Sequence, residues 1–143
     1  MKKLLTVSLA VFILILFAAC SGGSGSDEYG FKEWTKALKE YNAKLEKVDS
    51  ADDYAKALES YAKSLKKIEG KMENLIDDFP EIFSGSAEPG DLPKGITEED
   101  LENFATEFGK SFQNAFSMMK YAQDEAVLAV QKKYEDVFSF INE

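Results

Sequence analysis

Histidine and arginine are both absent from this sequence, and cysteine occurs once, at Cys20. Without His there is no Ser-His-Asp or Cys-His machinery, and no His-ligated zinc or haem. Without Arg the bidentate clamp on phosphate or carboxylate is missing, so every basic side chain is a lysine. Proline is scarce: Pro80, Pro89 and Pro93 are the only three, and they leave the rest of the chain free of helix breakers of that kind. The residues that remain do not assemble into a recognisable catalytic or metal-binding motif. The expectation is a non-enzymatic protein, with no catalytic residue and no metal.

What is present is acidic and moderately apolar. The 143 residues carry 26 Asp and Glu against 17 Lys. Two of those lysines, Lys2 and Lys3, fall in the first three residues. Removing a leader of 19 residues leaves 124, with 15 lysines facing 26 acids and a net charge of −11. A surface of that sign repels phosphate backbones, so nucleic acid is excluded as a partner. At 45% hydrophobic content the remaining chain can form one domain with a core that needs no disulfide.

The first twenty residues have a separate logic. Met1-Lys2-Lys3 is a short positive start, and Leu4 to Phe17 is an apolar run broken only by Thr6 and Ser8. That run is short for a membrane span, which takes about 20 residues, and suits the core of a signal peptide. Ala18-Ala19 supplies small residues directly before Cys20. The stretch Phe17-Ala18-Ala19-Cys20 resembles the lipobox of bacterial lipoproteins, with Phe17 where an aliphatic residue is usual. The resemblance implies acyl chains of the palmitate kind on Cys20 and cleavage just before it. It places the domain in the cell envelope, outside the cytoplasm and held to a membrane by lipid. Because Ser21 rather than Asp follows the cysteine, it implies the outer membrane where a cell has one. Ser21 to Ser26 then reads as a tether of Ser and Gly, spanning about 14 Å root-mean-square. The expected organisation is a signal peptide at 1–19, a lipidated Cys and tether at 20–26, and a helical domain at 27–143.

Within that domain the apolar residues keep helical spacing. Phe31, Trp34, Leu38, Tyr41, Leu45 and Val48 form one stripe, on a helix expected to begin near Ser26. Ala51, Tyr54, Leu58, Tyr61, Leu65, Ile68, Met72, Leu75 and Phe79 form a second, opened by a capping box of Ser50 with Asp53. The segment 80–96 holds the prolines and three glycines and is expected to be loop. Thr97 caps a third run, with Glu98, Glu99 and Asp100 in its first turn. That run continues to Ile141, and as one helix of about 44 residues it would reach about 66 Å. A break near 121–125, with Asp124 as a new cap, fits a small domain better. The predicted fold class is all-α: an antiparallel bundle of three long helices, or four if the last run breaks. The segments Ser50 to Leu58 and Phe79-Pro80-Glu81-Ile82 resemble small helical bacterial lipoproteins of uncharacterised function.

The most distinctive internal feature is the aromatic ladder Phe104, Phe108, Phe112, Phe116, with Met119 beyond it. Core packing accounts for it, and so does a face that holds an apolar ligand. Gly70 and Gly109 leave space for a ligand or for close helix contact. Trp34, Tyr41, Tyr54 and Tyr61 suit the edge of a core or a partner interface. The acidic groups Asp77-Asp78 with Glu81, and Glu98-Glu99-Asp100, lack the spacing of a calcium loop. The expected role is therefore structural or partner-binding, with a carrier or sensor of an apolar small molecule as the alternative. The partner would be another envelope protein; the oligomeric state stays open. The leader sets the first test. The chain extracted from its membrane should begin at Cys20 and carry acyl mass by intact mass spectrometry. A mature chain of unmodified mass would exclude the anchor.

Overall fold

A computed structural model describes residues 28–84, 90 and 92–142. Cys20, the tether and Ser26 lie outside the described residues, as do 85–89 and Asp91 within the expected loop. The described chain is all-helical: α1 (Phe31–Leu45), α2 (Ala51–Asp78), α3 (Pro80–Ser84), α4 (Glu98–Met118), α5 (Glu125–Lys133) and α6 (Glu135–Asn142). A 3-10 turn at Met119–Tyr121 follows α4. Among these residues, no helix is long and apolar enough to cross a membrane.

The helix α1 begins at Phe31 rather than near Ser26, and the cause is Gly30. Its φ of 67° is left-handed, a conformation that a residue with a Cβ rarely adopts. A Cβ at that position would also stand 3.3 Å from the Cβ atoms of Ile68 and Lys71. Gly30 thus turns the chain and lets it pass close to α2. At the other end α1 stops at Leu45, so Val48 falls beyond it and packs from the following turn.

Side-chain caps open α2, α4 and α5. Ser50 Oγ accepts from the Asp53 amide at 3.2 Å and donates to Asp53 Oδ2 at 2.8 Å. Thr97 and Asp100 form a reciprocal box: Oγ1 accepts the Asp100 amide at 3.1 Å, and the Thr97 amide donates to Asp100 Oδ2 at 2.8 Å. Asp124 accepts the Ala126 amide at 3.0 Å and opens α5. Each satisfies amides that the first turn of a helix leaves without partners.

Two expectations need correction. The segment 80–96 is not loop from its first residue, because Pro80 opens the short α3. Proline is favoured at that first helical position, where its fixed φ helps and its missing N–H is no loss. Ile82 of α3 is buried. The run from 98 onward is neither one helix nor two, since it breaks at 119–124 and again at Tyr134.

Helix α1 packs against α2 and α4, and α2 also packs against α3, α5 and α6. Along the α1–α2 contact, Tyr29 donates to Asp78 at 3.2 Å and Lys71 donates to Glu33 at 3.0 Å. Farther along, Trp34 Nε1 donates to the Tyr61 hydroxyl at 3.2 Å, and Lys44 meets Ser60. Along α1–α4, Lys32 lies 3.7 Å from Asp100, and the rings of Phe31 and Phe104 are 4.8 Å apart. Lys133 of α5 reaches Glu59 at 2.8 Å, and Lys66 reaches Asp136 of α6 at 3.3 Å.

Two apolar clusters fill the interior. One centres on Phe31, Trp34, Leu65, Met72, Phe104 and Val137, and the other on Leu45, Tyr54, Leu58, Met118 and Val127. Pairs such as Lys66–Asp136 and Lys71–Glu33 lie in solvent and contribute little, so the clusters carry the stability. Leu65 is fully buried and Leu128 is exposed. Leu65→Ala should cost about 2–5 kcal/mol in urea unfolding, while Leu128→Ala should stay within about 0.5 kcal/mol. Equal losses at the two sites would contradict this packing.

Candidate functional site

The residues of interest lie on α4, and helical geometry decides where each one points. Successive residues turn by about 100°, so steps of four drift by about 40° and alternating steps of three and four hold their phase. The ladder Phe104, Phe108, Phe112, Phe116 moves in fours and rotates by about 120° from its first member to its last. Phe104 is buried, with its ring 4.8 Å from both Phe31 and Trp34. Phe108 is half-buried and stacks on Phe104 at 5.8 Å. Phe112 and Phe116 form an edge-to-face pair at 5.2 Å, outside both core clusters. Phe116 is 63% exposed and Met119 is 65% exposed. The structure therefore divides the expected ligand face: Phe104 and Phe108 are built into the core, Phe112 is half-buried outside it, and Phe116 and Met119 stand in solvent.

The row that does hold phase is Phe104, Glu107, Ser111, Asn114, Met118, and its middle is polar. It faces Asn42 of α1, which is 2% exposed. Asn42 Nδ2 donates to the Glu107 carbonyl at 2.8 Å and to Glu107 Oε2 at 3.0 Å. The Ser111 hydroxyl donates toward Asn42 Oδ1 at 2.9 Å, with the Glu107 carbonyl 3.0 Å away. Asn114 Nδ2 donates to the same Oδ1 at 3.3 Å, and Lys110 donates to Glu107 Oε1 at 3.1 Å. Burial alone would raise the Glu107 carboxyl. Hydrogen bonds from Asn42 and Lys110, with the charges of Lys110 and Lys39, outweigh it and hold the carboxyl below the usual range. Among the described residues, every buried side-chain polar atom has a hydrogen-bond partner.

This seam went unnoticed in the sequence. The signal was present, because Asn42 lies four residues after Leu38 and three before Leu45, on the same stripe. Glu107, Ser111, Asn114 and Met118 follow Phe104 at spacings of three and four. A search for apolar residues passes over such a row.

The other expected residues serve local ends. The Tyr41 and Tyr61 rings stack at 4.6 Å, and Tyr41 donates to Tyr54. Burial pushes all three tyrosines up, Tyr41 and Tyr61 most strongly. The Tyr61 hydroxyl accepts from Trp34, while Tyr54 partners Tyr41. A Cβ at Gly70 or Gly109 would meet nothing within 4 Å, so neither glycine marks a close helix contact. Asp78 accepts from Tyr29, and Asp100 closes its capping box. Among the described residues no cluster of acids could hold a metal ion.

Glu107 makes the seam sensitive to acid. Its carboxyl sits below the unfolded value of about 4.3, so the unfolded chain takes up the proton first. The carboxylate's contribution is complete above that value and is lost as pH falls through the lower folded one. Glu107→Gln should therefore be less stable than the parent near pH 7, with the gap closing in acid. Urea titrations at both ends of that range test this, and a gap independent of pH would contradict it. Comparison with protein-family models, curated proteins and solved structures returns no match to this chain.

Proposed function

We propose that this chain is an exported bacterial lipoprotein, held by lipid on Cys20, whose antiparallel helical bundle docks another envelope protein and performs no catalysis. The lipobox-like residues before Cys20 support the anchor, and the lack of His and Arg supports a non-enzymatic role. The antiparallel reading draws on the order of the contacts. Partners on α2 descend from Asp78 to Ser60 as those on α1 rise from Tyr29 to Lys44. Partners on α4 rise with α1, and Lys133 and Asp136 follow α2 from Glu59 to Lys66.

The observation that carries the docking reading is the exposure of Phe116 and Met119 on one continuous face with Phe112. Their spacing of i, i+4 and i+7 is the anchor pattern of a helix received in an apolar groove. Segments of this chain outside the described residues are poor candidates to cover them. The stretch 21–27 is Ser, Gly and Asp, and 85–89 with Asp91 is Gly, Ser, Ala, Glu, Pro and Asp, so neither carries the large apolar side chains that would cover them. Pairing with a second copy through this row is poorly supported as well. Phe116 and Met119 together offer roughly 200–300 Å², against about 800 Å² per partner in a standard interface. A groove that wraps the helix recovers the difference from its flanks.

The length of α1 argues against lipid as the occupant. The tether arrives at Tyr29, whereas Met118 clusters with Leu45 at the far end of α1, about 22 Å away along its 15 residues. The occupant is thus a protein with an apolar groove. The carrier alternative uses the same ladder, but Phe104 and Phe108 are already packed on Phe31, Trp34 and each other.

Photo-crosslinking in intact cells tests this. A benzophenone side chain in place of Phe116 or Met119 should join one protein species, and the same probe at exposed Lys132 should not. Phe116→Asp should abolish the crosslink from Met119 while changing stability by no more than about 0.5 kcal/mol. Adducts to lipid, or to a second copy of the chain, would overturn the proposed occupant.

A further inference from the structure

We infer that the seam of Asn42, Glu107, Ser111 and Asn114 is a positioning device, which sets the rotation of α4 about its own axis and so turns Phe116 and Met119 outward. The inference rests on the docking role proposed above and names the residues that present its surface.

Two rows on α4 compete for the interior. Leu101, Ala105, Phe108, Phe112 and Phe116, continued by Met119 in the 3-10 turn after α4, are apolar throughout, at spacings of four and three. The row of Glu107, Ser111, Asn114 and Met118 is largely polar. In the second half of the helix the two lie roughly 130° apart. Area alone favours burying the apolar row, since a buried Phe or Met removes far more hydrocarbon from water than a Ser or Asn. The structure does the reverse beyond Phe112, which is itself half-buried: Met118 is 7% exposed, while Phe116 and Met119 stand in solvent.

Asn42 supplies the reason. Its amide is almost wholly enclosed and has partners on α4 for both its nitrogen and its oxygen. Turning α4 far enough to bury Phe116 would remove all of them at once and leave an amide without partners inside the protein. A buried group that loses its hydrogen bonds bears its full desolvation penalty. The seam is therefore satisfied at one rotation and opposes the one that area prefers. A single polar residue in a helical seam can fix register in this way.

Adjacent methionines report the rotation. Met118 faces α1 and Met119 faces solvent, while Met72 is fully buried in the other cluster. Hydrogen peroxide oxidises accessible thioethers to sulfoxides, which peptide mass mapping counts at each site. In the full-length chain held in mild detergent, Met119 should oxidise several-fold faster than Met118, and Met72 slowest. In Asn42→Leu the rotation is released, so oxidation of Met119 should slow while Met118 speeds up. Loss of stability alone cannot produce that pattern, because opening exposes Met118 and Met72 together and never protects Met119. A folded Asn42→Leu chain with an unchanged Met119 rate would overturn the inference. If Asn42→Leu does not fold, Ser111→Ala with Asn114→Ala decides by the same criterion. Slower oxidation of Met119 in a chain whose parent gives no crosslink at Phe116 would sink the docking reading and keep the positioning role. A position-specific crosslink with Met119 unmoved would do the opposite.

Discussion

An amide enclosed at 2% exposure must keep its hydrogen bonds, and Asn42 keeps all of its own at one arrangement of α1 against α4. Much of the rest follows from that constraint. It aligns Leu45 with Met118 at one end and Phe31 with Phe104 at the other, so both core clusters close on the same register. Glu107 tolerates its position because Asn42 and Lys110 divide its two carboxylate oxygens between them. A lone acid there would face desolvation without compensation.

The surface plays a different part. Glu59 draws two lysines, Lys63 and Lys133, and lies below the usual carboxylate range through its hydrogen bond and charge contacts with them. Asp136 is held down in the same way by Lys66. Both pairs join α2 to the last two helices, yet they are solvated and contribute little each. Their value is in orientation: they favour one alignment of short helices whose apolar faces are small, Val127 and Val137 being the fully buried members.

Much of this was legible in the sequence where the cause is local. Ser50, Thr97 and Asp124 announce helix starts because a cap is decided within three residues. The α2 stripe reads cleanly from Tyr54 to Leu75 because one long helix is buried along its whole length. Starts decided by tertiary contact were not legible. Gly30 ends the leading segment through its approach to Ile68 and Lys71, which lie almost forty residues away. Pro80 closes α2 through its missing N–H and its clash with the residue before it, and it opens α3 because its fixed φ suits a first helical position. Nothing in the residue types around Tyr134 explains the second break. The ladder misled for a further reason: aromatic residues at every fourth position look like one face, yet the drift carries Phe116 away from the side where Phe104 is buried. Which row faces the core was decided by hydrogen bonding, and a count of apolar residues cannot see it.

On the proposed reading, the small size of the aromatic row and the lipid on Cys20 belong to one design. Two exposed side chains give modest affinity by themselves, since association must first offset lost rotational and translational freedom. A lipid anchor confines the chain to a layer near the membrane and raises the effective concentration of any partner held in the same envelope. A small docking face then suffices, and stays small enough to spare a free chain from aggregating through it. The acidic balance acts in the same direction, since a domain of net −11 is repelled from anionic headgroups. On the same reading that repulsion keeps the domain off the headgroups and its apolar row free for a protein partner. On that reading the polar seam and the charge serve one surface: the seam fixes which way the row faces on the helix, and the charge keeps the domain from lying on the bilayer.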